Sequence, residues 1–216
     1  MKLKFDNWKK ITIEIYDKLK ALKTDVNTEE EIIEVNVQML SILCDVDVNE
    51  ILNLGLNEFQ ELIYKSEFLK NIPKVNLNDE YNINGVVYVV HRNLRELTTA
   101  QYIDFQSLYK EKEMKFKNLL ACFLIPKGKK YGEDYDVLEV ADELYKYMSI
   151  VDANSVMFFF TLQYKALIKV MLTCSIKDLK RMMKKEKNET KRALIERNIQ
   201  HLTQLKTLHK TGTGFI

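Results

Sequence analysis

Apolar side chains recur along this chain at two spacings, and the changes between them mark its elements. Ile11-Thr12-Ile13-Glu14-Ile15 alternates as a half-buried strand would, yet Asp17 to Leu22 continues as a helix that Thr12 can cap, so strand and helix both stay open there. From Thr28 the period is helical. A Thr28–Glu31 capping box precedes Ile32, Ile33, Val35, Met39, Leu40 and Leu43. Asp47 with Glu50 opens a very short helix bearing Ile51 and Leu52. Asn57 is the expected cap of the next helix, whose face holds Phe59, Leu62, Ile63 and Phe68, and Pro73 ends it.

The spacing then shortens. Tyr81-Asn82-Ile83 and Val86 to Val90 flank Asn84-Gly85, the pair best able to occupy both positive-φ positions of a tight hairpin turn. A lone hairpin is marginal in water, so it must pack on a helix, pair with the N-terminal strand candidate, or pair with another chain. Val87 and Val89 share one face of it and are the positions to test for burial. Thr98 with Gln101 forms a further capping box, followed by an aromatic stripe of Tyr102, Phe105 and Tyr109 with Ile103 and Leu108 beside it. After a charged interval, Lys110 to Lys117, a second apolar run from Leu119 to Ile125 stops at Pro126. Val137 to Met148 reads as a helix. Asp152 is the expected cap of the one after it, which is apolar nearly all round (Val156, Phe158 to Phe160, Leu162, Leu167, Ile168, Val170, Met171) and is expected to be the central buried helix. Ser175 with Asp178 is expected to start the last segment. Its apolar residues vanish between Lys184 and Arg192 and return at Leu194, Ile195, Ile199, Leu202, Leu205 and Leu208, as in one long helix or a helical hairpin turning near Asn188.

Composition narrows this little. With 216 residues, 46% hydrophobic and 30% charged, the chain has the make-up of an ordinary globular protein; two prolines and six glycines argue against a turn-rich β architecture. Cys44, Cys122 and Cys174 lie far apart in apolar contexts, which points to buried reduced thiols in an intracellular protein and away from a disulfide frame. The N-terminus lacks the apolar stretch of a signal peptide, and the most apolar window, Val156 to Leu172, contains Gln163, Lys165 and Lys169, which excludes a membrane span.

Charge changes the picture more. The net charge is +2, but Ile176 to Lys210 holds eleven Lys or Arg against four Asp or Glu, leaving residues 1–175 at −5. A phosphate-binding arm has such asymmetry. Here, however, Asp178, Glu186, Glu189 and Glu196 interleave with the cations and no aromatic side chain lies among them to stack on bases. Nucleic acid is therefore the weaker reading than a solvated helix with intrahelical ion pairs, and attraction to an acidic protein or to the acidic front of another copy explains the asymmetry as well.

Nothing in the pattern carries a reaction. His91, His201, His209 and the cysteines form no paired metal-ligand spacing. Gly128-Lys129-Lys130-Tyr131-Gly132 lacks the Gly-Lys-Ser/Thr ending of a phosphate loop and runs into Glu133, Asp134 and Asp136, so it reads as a surface turn. Cys122, between Ala121 and Phe123, lacks the electropositive setting of a nucleophile. No catalytic residue, metal or cofactor is expected.

Leu97-Thr98-Thr99-Ala100-Gln101-Tyr102-Ile103-Asp104, then Leu119 to Pro126 with Tyr131-Gly132-Glu133-Asp134-Tyr135, then Val151-Asp152-Ala153 running into Phe158 to Phe160, together resemble the small helical tail and baseplate-hub assembly proteins of tailed bacteriophages, the tail assembly chaperones. Leu43 to Asp47, Glu50 to Leu54 and Phe59 fit the same pattern, and the resemblance spans roughly residues 30–165. It implies a non-enzymatic protein acting in host cytoplasm through contacts with other phage structural or assembly proteins or with copies of itself. The hairpin and the basic C-terminal helix stand outside that pattern and leave open a structural subunit of a head–tail connector or tail ring within the virion.

The expected fold is therefore mainly α: a helical bundle with one β-hairpin and a long basic C-terminal helix or helical hairpin. The expected divisions are residues 1–73, 74–175 and 176–216. The expected partner-binding residues are Lys180, Arg181, Lys184 and Lys185, the stripe Ile195, Ile199, Leu202 and Leu205, and the tip Phe215 and Ile216 on its Gly-Thr-Gly tether.

Overall fold

The hydroxyl of Thr12 accepts the Ile15 N–H at 3.3 Å, so the first ambiguity resolves as a helix, α1 (Ile13–Lys20). Only a single antiparallel bridge between Thr12 and Ser149 remains of the strand alternative. This is seen in a computed structural model that describes residues 1–22, 25, 27–71, 73, 76–93, 96–110 and 116–211. The Thr28–Glu31 capping box forms in both directions and opens α2 (Glu29–Cys44), which ends on Asp45 in the left-handed region (φ 58°) with its carboxylate paired to Lys4. Asp47 caps α3 (Val48–Leu52). The next helix, α4 (Leu56–Lys65), starts two residues ahead of expectation. Extended Gly55 is its cap, the Gly55 carbonyl already accepts the Phe59 N–H at 3.0 Å, and Asn57 lies inside the first turn. Pro73 does not end it either: a 3-10 turn, Ser66–Lys70, closes the segment first and contains Phe68. The carbonyls of Phe68 and Asn71 both accept the indole N–H of Trp8, at 2.8 Å each, which ties the N-terminus down.

The hairpin forms as expected, β1 (Glu80–Ile83) against β2 (Val86–Val90), with Asn84 and Gly85 at φ 49° and 83°. Its buried face, though, is Tyr81, Ile83, Tyr88 and Val90, while Val87 and Val89 are half-exposed. Buried hydroxyls find partners: Tyr81 bonds Ser155 Oγ at 3.1 Å and Tyr88 donates to Glu143 at 2.7 Å. A third strand completes the antiparallel sheet in the order β1-β2-β3. The apolar run from Leu119 splits into α6 (Phe116–Phe123) and β3 (Leu124–Pro126), because the free edge of β2 takes the chain as it leaves the helix. The Lys127 N–H to the Val87 carbonyl, at 2.8 Å, carries the pairing one bond further.

In α5 (Thr99–Lys110) the Thr98–Gln101 box forms, and the buried Gln101 amide also donates to the Cys122 carbonyl at 3.2 Å, joining α5 to the end of α6. Of the aromatic stripe only Phe105 is buried; Tyr102 and Ile103 are exposed, and the side chain of Tyr109 lies outside the described residues. So do residues 111–115 of the charged interval. The glycine-bearing loop is a turn closed on itself, with Asp134 accepting the Lys130 N–H at 2.8 Å, and Tyr131 donates to Asp104 at 2.9 Å. Asp136 caps α7 (Val137–Tyr147), which packs on α6 through Val140, Ala141 and Leu144. The cap of α8 (Ile150–Lys185) is Ser149: its hydroxyl accepts the Asp152 N–H at 3.1 Å, which places Asp152 in the first turn.

Two corrections concern α8. It passes through Ser175 and Asp178 without a break, and the chain divides into two compact units after Met157, Met1–Met157 and Phe158–Ile216. Residues 1–73 therefore share a unit with the hairpin, and the C-terminal unit begins within the segment expected to be the central core. Nor is that segment buried throughout: Val156 and Phe160 are, but Phe158 is 67% and Leu162 52% exposed. The side chains of Leu167, Ile168, Val170 and Met171 lie outside the described residues. Cys174 is exposed too, while Cys44 and Cys122 are buried as expected. No helix, among the described residues, is long and apolar enough to cross a membrane.

Candidate partner-binding surface

The C-terminal unit is built from the rest of α8 and from α9 (Glu189–Thr211), joined by Glu186-Lys187-Asn188. Three polar residues without helix-stabilising burial let the helix end, and Asn188 restarts it by accepting the Lys191 N–H at 3.1 Å. The two expected alternatives thus resolve as two helices meeting at Asn188.

Past Phe160 no described side chain in this unit is buried. Half-burial follows one stripe per helix: Leu172, Ile176, Leu179 and Met183 on α8, and Ile195, Ile199 and Leu202 on α9. Steps of four and three residues are the a/d spacing of a helix seam. The α9 stripe matches the expected residues, although the side chain of Leu205 and all of Phe215 and Ile216 lie outside the described residues. The α8 stripe was missed, because the sequence pattern placed a helix start at Ser175 in its midst. Its heptad spacing is the signal that finds it.

Beside Ile176 and Thr173, α8 carries a hollow of about 470 Å³ whose other described lining residues are Lys177, Lys180, Arg181 and Lys184. The structure thereby brings three of the four expected cations together on one face; Lys185 is exposed but outside the hollow. Intrahelical ion pairing is sparse. Arg181 meets Asp178 at 3.5 Å with both side chains largely exposed, and among the described residues Lys177, Lys180 and Lys184 meet no carboxylate. Such an exposed pair contributes little. Lys177 with Arg181, and Lys180 with Lys184, are like charges one helical turn apart, which weakens the helix until an anion arrives. The sign extends to the whole unit: residues 158–216 hold 13 Lys or Arg and 4 Asp or Glu, a net +9 that leaves residues 1–157 at −7.

Chemistry elsewhere is muted. A hollow of about 280 Å³ in the first unit is lined mainly by apolar atoms, and its Tyr131 hydroxyl is already engaged by Asp104. Burial pushes the Cys122 thiol up to about 11, so it stays protonated at neutral pH and is a poor nucleophile. Among the described residues no group of His, Cys, Asp or Glu is placed to hold a metal ion.

Fold and surface together define a mainly helical protein with a small antiparallel sheet and a cationic C-terminal unit of two helices, each bearing a half-buried apolar stripe. Compared with known proteins, the chain matches no family model, and no curated protein or solved structure is significantly similar to it.

Proposed function

We propose that this is a non-enzymatic assembly protein that works by holding a protein partner on its C-terminal helix pair. The observation that carries the reading is the hollow on α8, where Lys177, Lys180 and Lys184 meet no carboxylate among the described residues and stand beside a half-exposed apolar stripe. A cationic rim around apolar surface steers and then holds an acidic protein face. The resemblance to phage tail assembly proteins supplies the setting: the partner is another phage structural or assembly protein, met in host cytoplasm.

A ring or connector subunit of the virion is the variant of this reading that the basic helix pair also suits. The two part on one measurement. Mass spectrometry of purified particles beside infected-cell lysate finds a chaperone in the lysate alone, and a ring subunit in particles at a symmetric stoichiometry. Capture from that lysate tests the surface itself. Full-length protein is expected to retain a tail or baseplate protein, and the Lys180→Glu/Arg181→Glu/Lys184→Glu variant to lose it with unchanged helical circular dichroism. Undiminished capture by that variant would sink the proposal.

A further inference from the structure

We infer that the cationic face of α8 in one copy receives the acidic α2–α4 segment of a second copy, so that the chain associates head to tail. This rests on the reading of the C-terminal unit as a partner-binding surface and names the partner.

Charge complementarity is the first support. Between Glu29 and Lys65 the chain holds nine Asp or Glu and a single Lys, the most acidic stretch of the molecule, against the net +9 of residues 158–216. The second support is that each surface is only partly neutralised at home: Asp45, Glu58 and Glu61 pair with Lys4, the N-terminal ammonium and Lys65, and Arg181 pairs with Asp178. Glu30 and Glu34, exposed on α2 one turn apart, meet no basic group among the described residues, and they repel each other as Lys180 and Lys184 do on α8. Bringing the two faces together relieves both repulsions at once. Apolar surface is the third. The acidic segment exposes Ile33, Leu52, Leu56 and Tyr64, the last 74% exposed, and the basic unit exposes Met182 and Leu194. On α2 the exposed Ile33 lies one turn from Glu30, and on α8 the cations adjoin the half-buried Ile176, so some apolar area accompanies the charge on each helix. Because the two patches differ, the contact is heterologous, and repetition closes a ring or extends a filament.

Sedimentation velocity of the full chain over a concentration series tests this. Wild type is expected to associate, and to do so at least about tenfold more weakly when salt rises from about 0.1 M to about 1 M, which shortens the Debye length from ~10 Å to ~3 Å. Lys177→Glu/Lys180→Glu/Lys184→Glu and Glu30→Lys/Glu34→Lys should each be monomeric alone and associate again when mixed, since each then offers the charge the other lost. A milder Lys180→Gln/Lys184→Gln variant, expected to weaken association by an intermediate factor, guards against misfolding of the reversed forms. Wild type that remains monomeric throughout, association indifferent to these variants, or mixtures that fail to reassociate would overturn the inference. A monomer that still captures a tail protein overturns it while leaving the proposed function standing. A monomer that instead binds a DNA oligonucleotide with a steep salt slope assigns the cationic face to phosphate, and overturns it as well.

Discussion

In the first unit Leu40, Leu43, Leu119 and Leu144 have no exposed surface, whereas past Phe160 no described side chain of the second unit is buried. Both units are helical and similarly rich in charge, so helix content does not separate them. What separates them is the number of layers. In the first, α6 and α7 pack together, Tyr88 of the hairpin reaches Glu143 on α7 and Tyr81 reaches Ser155 at the start of α8, and polar atoms such as the Gln101 amide find partners inside. In the second, the stripe residues Leu179 and Ile199 are only half-buried. Helical propensity and a half-covered stripe hold such a unit weakly, and another surface adds most when it arrives.

The largest effect that would sharpen this contrast is a charge in the first core. Val90→Asp places a carboxylate on the buried face of β2 and is expected to cost about 3–5 kcal/mol, while Val89→Asp, on the half-exposed face, costs under about 2 kcal/mol. Equal losses in urea melts would show that the sheet has no preferred face. Next come cavities. Leu120→Ala should destabilise by about 3 kcal/mol, and Ile199→Ala, already half-exposed, by less than about 1 kcal/mol. An Ile199→Ala loss as large as that of Leu120→Ala would place α9 in a true core and erase the comparison. Smaller again is Thr98→Ala, which removes the cap of α5 and is expected to cost about 1 kcal/mol by thermal unfolding. Thiol labelling should divide the molecule at almost no energetic cost. Cys174 reacts at once with a mild disulfide reagent in native buffer, while Cys44 and Cys122, buried and with thiols pushed above their ordinary values, react only on unfolding. Simultaneous reaction of all three would contradict the burial pattern.

Much of the first unit was legible in local chemistry. The Thr28–Glu31 and Asp47–Glu50 boxes, the Thr98–Gln101 box and the Asn84-Gly85 turn are signals within four residues, and each forms where the sequence put it. The cap errors at Asn57 and Asp152 have a shared cause: several residues near a helix start are competent caps, and the backbone path chooses among them. For the proposed partner-binding surface, the cations Lys180, Arg181 and Lys184 and the α9 stripe were legible because charge and spacing are sequence properties. Their gathering around one hollow was not.

The sequence by itself determined a mainly helical chain with one hairpin, an acidic front and a basic C-terminal end, since periodicity, capping and charge need no distant partner. Only the tertiary structure decided that Leu124 to Pro126 leaves a helix to pair with β2, because a strand edge satisfies those backbone groups only where another strand lies beside it. It also decided which face of the hairpin is buried and how little of α8 is, since an apolar residue such as Phe158 is buried only if another layer reaches it.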